Sequence, residues 1–378
     1  MHDIHCSSTS ISPGIVPGYA GFLRADIARV PVPLRRGECD VAKPRGITGK
    51  RYSNAYLAAV QSSGGVVTDP VPSTSALGVV DGIDLTGKTC VITGASSGLG
   101  RESARALAST GVRLVLAARN RPALEETSTW IREQVPQSQI SLVELDLTSL
   151  ASVRRAGAAI AEQAPVIDIL MNNAGVMFTP LGHTEDGFEM QFGTNHLGHF
   201  EFTRQLLPEL LAADDARVVN LSSDGHLICD VDLDDPNWRR RPYDKFLAYG
   251  ASKTANIQHA VELDRRHRED GLRAFAVHPG VVATALARHM SGPDFAALGE
   301  IAPAHTPSAG VSAGVLTSIV GPEQGAATQV WAATTPDLDG RGGLYLADCA
   351  VRGDAAPYAL DPQRAADLWA LSEDLCAD

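Results

Sequence analysis

Between residues 84 and 348, short apolar runs alternate with longer stretches whose apolar positions recur at helical spacing. The runs are Thr89–Thr93, Arg113–Ala117, Ile140–Leu145, Ile167–Met171, Arg217–Leu221, Arg273–Val277 and Gly343–Leu346. Most are near-continuous in Val, Ile and Leu, as suits strands of a parallel sheet covered on both faces. The stretches Gly98–Thr110, Arg121–Gln134, Leu150–Gln163, Gly187–Leu211 and Tyr249–Asp270 have the length and amphipathic pattern of helices. Strand–helix alternation with right-handed crossovers predicts an α/β fold: a doubly wound parallel sheet of about seven strands, with helices on both faces.

Residues 1–82 break this pattern. They hold seven Pro and ten Gly, run slightly basic, and show no sustained apolar period beyond a short helix expected near Tyr52–Gln61. Ser62–Gly78 is Ser, Gly, Pro and Thr with little to bury, and reads as linker. The expected organisation is an extension over 1–82, disordered or loosely packed or forming a small docking or lid element. One α/β domain follows over 83–378.

Composition narrows the classes. With 44% apolar and 20% charged residues in a chain of 378, there is enough apolar side chain for a sizeable core. Lys plus Arg is 32 against 44 Asp plus Glu, a net charge of −12 that argues against neutralising nucleic acid or anionic lipid. No apolar run approaches the roughly 18–20 residues that span a bilayer. The start, MHDIHCSSTS, lacks a charged segment followed by an apolar one. Cys6, Cys39, Cys90, Cys229, Cys349 and Cys376 lie far apart without a C-x-x-C, so reduced thiols and a cytoplasmic location are expected.

The first strand, TCVIT, leads into Thr93-Gly94-Ala95-Ser96-Ser97-Gly98-Leu99-Gly100 and then a helix. A strand, a glycine-rich turn and a helix N-terminus together place backbone N–H groups and the positive helix end at a pyrophosphate, as in the Rossmann fold. Gly94 permits the tight turn, Gly98 lets the backbone approach phosphate, and Gly100 allows close helix–strand packing. Ser96, Ser97 and Leu99 complete the cradle. The second strand ends in Leu116-Ala117-Ala118-Arg119-Asn120. An acid there would bind a ribose 2′-hydroxyl, whereas Arg119 suits a 2′-phosphate, so NADP is expected over NAD.

A second group carries candidate catalysis. Tyr249-Gly250-Ala251-Ser252-Lys253 opens a helical stretch, where positions i and i+4 share a face. Seven Tyr and five Lys give about 0.09 chance occurrences of that spacing, so the pair is informative. Lys253 can lower the Tyr249 phenol from about 10 and hydrogen-bond a nicotinamide ribose. The fifth strand ends at Ser222-Ser223, where ligands approach such sheets, and either hydroxyl can hold a substrate oxygen. Asn172-Asn173-Ala174-Gly175 follows the fourth strand, and its side chains can tie strand ends and wall the cofactor pocket. Asn195, a poor helix former between Gly193 and Gly198, predicts a local irregularity that frees backbone groups. His278-Pro279-Gly280-Val281-Val282-Ala283-Thr284 turns the chain beyond the sixth strand, toward the nicotinamide amide or a phosphate. His196 and His199 have no carboxylate partner at metal-ligand spacing and read as packed or surface residues.

TGASSGLG, NNAG, GTNHLGHF, VNLSS, YGASK and HPGVVAT, in this order over about 70% of the chain, closely resemble the short-chain dehydrogenase/reductase family. Within it the chain is most similar to the branch of retinol dehydrogenases and protochlorophyllide reductases, through Leu116–Asn120, Val231–Trp238 and Gly342–Cys349. The extension over 1–82 departs from that pattern. The resemblance implies reversible hydride transfer, with Tyr249 as general acid/base and Ser223, rather than Ser222, holding the oxygen. Lys253 would tune Tyr249, and Asn195 would support a water relay. It also implies that the cofactor meets Asp146 and Leu147 (Asp146 alone reads equally as a helix cap), Asn173, Ala174, Gly175, Pro279, Gly280, Val282 and Thr284. A substrate loop is implied over 285–307, where Phe295, Leu298 and Ile301 suit a small to medium, fairly apolar alcohol or ketone. Alternatives are reduction of a C=C bond or a non-catalytic NADP(H)-binding sensor or scaffold. A homo-oligomer is also compatible with the family.

Overall fold

The computed structural model describes residues 74–282, 284–290, 294 and 320–377. Its strands are β1 (Thr89–Thr93), β2 (Arg113–Ala118), β3 (Ile140–Glu144), β4 (Ile169–Asn172), β5 (Arg217–Leu221), β6 (Arg273–Val277), β7 (Leu344–Ala347) and β8 (Ala350–Val351). They form one sheet ordered β3-β2-β1-β4-β5-β6-β7-β8. All neighbours pair in parallel except β7 and β8. The order reverses between β1 and β4, so the crevice beyond their carboxyl ends is where a doubly wound sheet takes its ligand.

The apolar runs become central strands because both faces are covered. Every residue of β1 and β5 is buried. On one side lie α1 (Ala76–Val79), α2 (Gly98–Ala108), α3 (Arg121–Gln134), α9 (Pro322–Gly325) and α10 (Ala327–Thr334). On the other lie α4 (Leu150–Gln163), α5 (Met190–Phe192), α6 (Gly198–Gln205), α7 (Leu207–Leu211), α8 (Lys245–His267) and α11 (Pro362–Leu375). Each side has its own buried apolar cluster. No helix of the described residues is long and apolar enough to cross a membrane.

Several elements differ from the pattern-based expectation. The helix expected over Gly187–Leu211 begins at Met190: Gly187 turns at φ 82°, His183 bridges Glu189, and the Glu189 carboxylate caps the helix by accepting from Phe192 N–H at 2.7 Å. The expected Tyr249–Asp270 helix starts at Lys245 instead, because Asp244 accepts from Phe246 and Leu247 N–H at 2.8 and 3.1 Å. Tyr249 therefore sits inside the helix. The eighth strand, α10 and α11 were not expected; β8 is only two residues long and exposed, too short for a periodic signal.

The linker expected over Ser62–Gly78 is packed at its described end. Ser75 caps α1, and Ala76 and Val80 are buried in the core. The helix expected near Tyr52–Gln61 lies outside the described residues, as do Phe295, Leu298 and Ile301. The described start of the substrate loop, Ala285–His289, is a 3-10 turn.

Candidate active site

The glycine turn has the shape the sequence requires of a phosphate cradle. Gly94 and Gly98 adopt φ 66° and 53°, a left-handed conformation that glycine enters without steric cost. At Gly100 a Cβ would lie 2.5 Å from the Gly94 carbonyl oxygen and 2.6 Å from Asn173 Nδ2, so helix and turn touch only because no side chain intervenes. Ser97 precedes α2 without a side-chain cap, which leaves first-turn N–H groups available to an anion. Thr284 stands against this cradle: its Cγ2 would lie 3.5 Å from a Cβ at Gly98. Gly280 turns at φ 82°. Val282 bridges Val320 and packs over Gly325 beside Leu99.

Strand ends are tied where a dinucleotide would cross them. Asn173 Nδ2 donates to Thr93 O at 2.8 Å, and Thr93 Oγ1 accepts from Asn173 and Ala174 N–H at 2.9 and 3.0 Å. Asn172 Nδ2 donates to Asn220 Oδ1 at 2.8 Å. Arg119, the first residue after β2, is 71% exposed in its side chain, and its Nη1 lies 3.9 Å from Asp146 Oδ2. Asp146 caps its own turn by accepting from Thr148 N–H and Oγ1 at 2.9 and 2.8 Å, with buried Leu147 between them.

Tyr249 and Ser223 come together from α8 and the end of β5: a Cβ at Gly225 would stand 2.8 Å from Tyr249 Cε1 and 3.4 Å from Ser223 Oγ, and the nearby serine draws the phenol pKa down. The two serines separate cleanly. Ser222 is buried and its hydroxyl donates to Lys253 O at 2.8 Å, so it turns into the protein. Ser223 Oγ accepts from Gly225 N–H at 3.0 Å and keeps its reach toward Tyr249.

Lys253 Nζ donates to Leu221 O at 2.9 Å and lies 5.6 Å from the centroid of the Tyr249 ring. The expected lowering of the phenol by this amine is not found in this geometry. Burial pushes Tyr249 up to about 12, and Ser223 is the neighbour that pulls it back. Burial likewise pushes Lys253 down to about 7. The physical reason is desolvation of both groups, which penalises phenolate and ammonium alike.

Asn195 lies where the irregularity was expected. Gly193–Leu197 is π-helical, with Gly198 N–H reaching back to Gly193 O. The Asn195 side chain accepts from Val176 N–H at 2.8 Å and donates to Val176 O and Ser252 Oγ at 2.9 and 3.0 Å. Gly175 lies between this group and the amine: a Cβ there would stand 3.1 Å from Asn195 Oδ1 and 3.7 Å from Lys253 Nζ. His196 and His199 are packed residues. His196 meets Ser372 Oγ at 2.8 Å, and His199 bridges Asn195 O and Thr93 Oγ1 at 3.0 and 2.9 Å.

Two contacts escaped sequence reasoning. A Cβ at Gly225 would lie 2.8 Å from Tyr249 Cε1, so the turn after Ser223 presses its bare backbone on the phenol ring. Phe178, at φ 53°, sets its ring 4.9 Å from that of Tyr249, while Gln191 Oε1 accepts its N–H at 2.8 Å. The S-S-D-G string was a usable signal for the first; a left-handed Phe has none.

Residues 88–293 match the family model for short chain dehydrogenase. Human retinol dehydrogenase 13 is 39% identical over 290 residues, covering 76% of this chain and 83% of that protein. A solved protein of Mycobacterium Paratuberculosis shares 35% identity at a TM-score of 0.62, covering 79% of this chain and 96% of that one. Pseudomonas aeruginosa RhlG, solved in an NADP active-site complex, shares 25% identity at a TM-score of 0.53, covering 70% and 95%.

Proposed function

Because the chain belongs to the short-chain dehydrogenase/reductase family, in its retinol dehydrogenase-like branch, and is an oxidoreductase, we propose a specific reading of its reaction. It uses NADP(H) and interconverts a carbonyl and an alcohol on a small to medium, fairly apolar substrate. The observation that carries this reading is that Ser223 Oγ and the Tyr249 ring meet at the Gly225 turn, beside Lys253 and the bare glycine cradle.

The residues fit a dinucleotide. A Cβ at Gly94, Gly98 or Gly100 would fill or strain the cradle, and the first turn of α2 offers unspent N–H groups. Gly94, Ser96, Ser97, Gly98, Leu99 and Gly100 would hold the pyrophosphate, and Arg119 the 2′-phosphate. Asp146 and Leu147 would flank the adenine. Asn173, Ala174, Gly175, Lys253, Pro279, Gly280, Val282 and Thr284 would line the nicotinamide half. When bound, the cofactor supplies or takes a hydride at its nicotinamide C4.

In the reducing direction the hydride forms a C–H bond at the carbonyl carbon, and the C=O π pair moves to oxygen. Tyr249 gives that oxygen its phenolic proton while Ser223 donates a hydrogen bond to the same oxygen. Oxidation reverses each transfer. Lys253 holds positive charge near the phenol as it loses its proton, offsetting the burial that otherwise keeps Tyr249 protonated. Asn195 holds the segment through which a water relay reaches Lys253.

The test is NADPH consumption over a panel of aldehydes, ketones and conjugated enones, with C4-deuterated NADPH. Deuterium on the carbinol carbon supports the reading. Deuterium on an alkene-derived carbon would transfer the assignment to C=C reduction, and no consumption with any member would refute an NADPH-dependent carbonyl reductase.

A further inference from the structure

His226 lies in the turn between Ser223 and Tyr249 and has no part in the chemistry above. It is fully buried. Its Nδ1 lies 2.8 Å from Ser223 O, and its Nε2 lies 3.1 Å from the Ala356 amide nitrogen. A carbonyl only accepts and an amide N–H only donates, so both contacts are satisfied by one form alone: the neutral ring with its proton on Nδ1. Burial also drives this imidazole down to about 4, which agrees with a neutral ring.

The same turn is fixed from behind by the C-terminal part of the chain. Tyr358 OH donates to His226 O at 2.7 Å, and Thr254 Oγ1, next to Lys253, donates to it at 3.2 Å. The His226 ring packs 4.7 Å from that of Tyr345, whose hydroxyl donates to Asp224 Oδ1 at 2.8 Å. Ser223 is thus held at its carbonyl by His226, at its hydroxyl by Gly225 N–H, and on the following residue by Tyr345.

We propose that His226 is a positioning residue for Ser223, fixing the main chain that aims the serine hydroxyl at Tyr249 and the substrate oxygen through a single ring tautomer anchored on Ala356. This rests on the reading of Ser223 given above. The turn also presses its bare backbone on the Tyr249 ring at Gly225, so a shift of the Ser223 carbonyl changes how the serine hydroxyl meets the phenol.

The two amide side chains separate positioning from mere packing. Asn places its NH2 near the place of Nδ1 and keeps the donor to Ser223 O, whereas Gln reaches the place of Nε2 and keeps only the acceptor for Ala356 N–H. In the full chain, His226→Asn and His226→Gln each lose one buried hydrogen bond, so their thermal midpoints should fall alike. The turnover numbers should split: Asn within about threefold of wild type and Gln down about thirtyfold or more, with NADPH affinity unchanged in both. Equal turnover in the two variants, high or low, overturns the proposal. Ser223→Ala is assayed alongside: if it keeps full turnover, the role of Ser223 itself is wrong, a failure distinct from that of His226. On the wild-type chain, nitrogen-15 NMR of the His226 ring should show a protonated Nδ1 and a bare Nε2, and the opposite tautomer overturns the proposal without any variant.

Discussion

Arg119→Asp is the substitution whose consequence can be worked furthest from the structure. The side chain is 71% exposed and its ion-pair partner among the described residues, Asp146, lies 3.9 Å away. Such a pair contributes about 0–1 kcal/mol, so the fold should survive its loss. Two unit charges at about 4 Å interact by about 1 kcal/mol in water and about 4 kcal/mol near a protein surface. The high exposure of Arg119 places it toward the lower end. Losing the attraction to a 2′-phosphate and gaining repulsion from Asp should then cost about 2–4 kcal/mol, or about 30- to 1000-fold in NADPH affinity. NADH carries no 2′-phosphate, and Asp can accept from its 2′-hydroxyl, so its affinity should hold or rise. Fluorescence titration of both cofactors on both proteins measures this. The selectivity change should shrink at high salt, because the charges are open to screening. Equal loss for NADPH and NADH, or no change in either, would refute the assignment of Arg119 to the 2′-phosphate.

Gly225→Ala places a methyl 2.8 Å from the Tyr249 ring and should lower turnover about tenfold to a hundredfold while leaving NADPH binding near wild type. Steady-state kinetics beside a cofactor titration check it, and unchanged turnover would show that the ring can yield. Stability should fall from pH 7 to pH 5. His199 and His226 are held near 4 by burial against an ordinary 6.5, so the unfolded chain takes up protons that the folded chain refuses. Each histidine should cost about 2 kcal/mol at pH 5, with the contribution complete above about 6.5 and lost as pH falls toward 4. Raised carboxylates such as Glu189 work against this trend, while His196 and His259, also lowered by burial, add to it. Thermal midpoints at the two pH values read the sum, and a flat profile would contradict the neutral burial of these rings.

The sheet and the crevice were legible because their signals are local. TCVIT followed by a glycine turn states both the strand and the approach of α2, and a Tyr and a Lys four apart on one helix need only the helix to converge. The π-turn at Asn195 was legible for the same reason: an Asn between glycines advertises a broken ladder. What stayed hidden depends on distant pieces meeting. Whether Ser222 or Ser223 faces the crevice is settled by Lys253 O accepting from Ser222, 31 residues away. His226 joins Ser223 to Ala356, 130 residues on, and nothing in either segment names the other. At Tyr249, spacing reveals the proximity of Lys253 but not the burial that pushes the phenol up and the amine down. α1 was hidden in a Ser- and Pro-rich stretch, where Ala76 and Val80 anchor it in the core.

The central claim is that the Tyr249 hydroxyl moves the proton during hydride transfer. Its most direct measurement is single-turnover oxidation of bound NADPH by a substrate carbonyl in Tyr249→Phe, a change that removes one oxygen from a buried ring and leaves its packing against Phe178 and Gly225. NADPH should bind as in the wild type while the hydride-transfer rate falls by at least a hundredfold at every pH. A Phe variant that retains more than a tenth of the wild-type rate would contradict it.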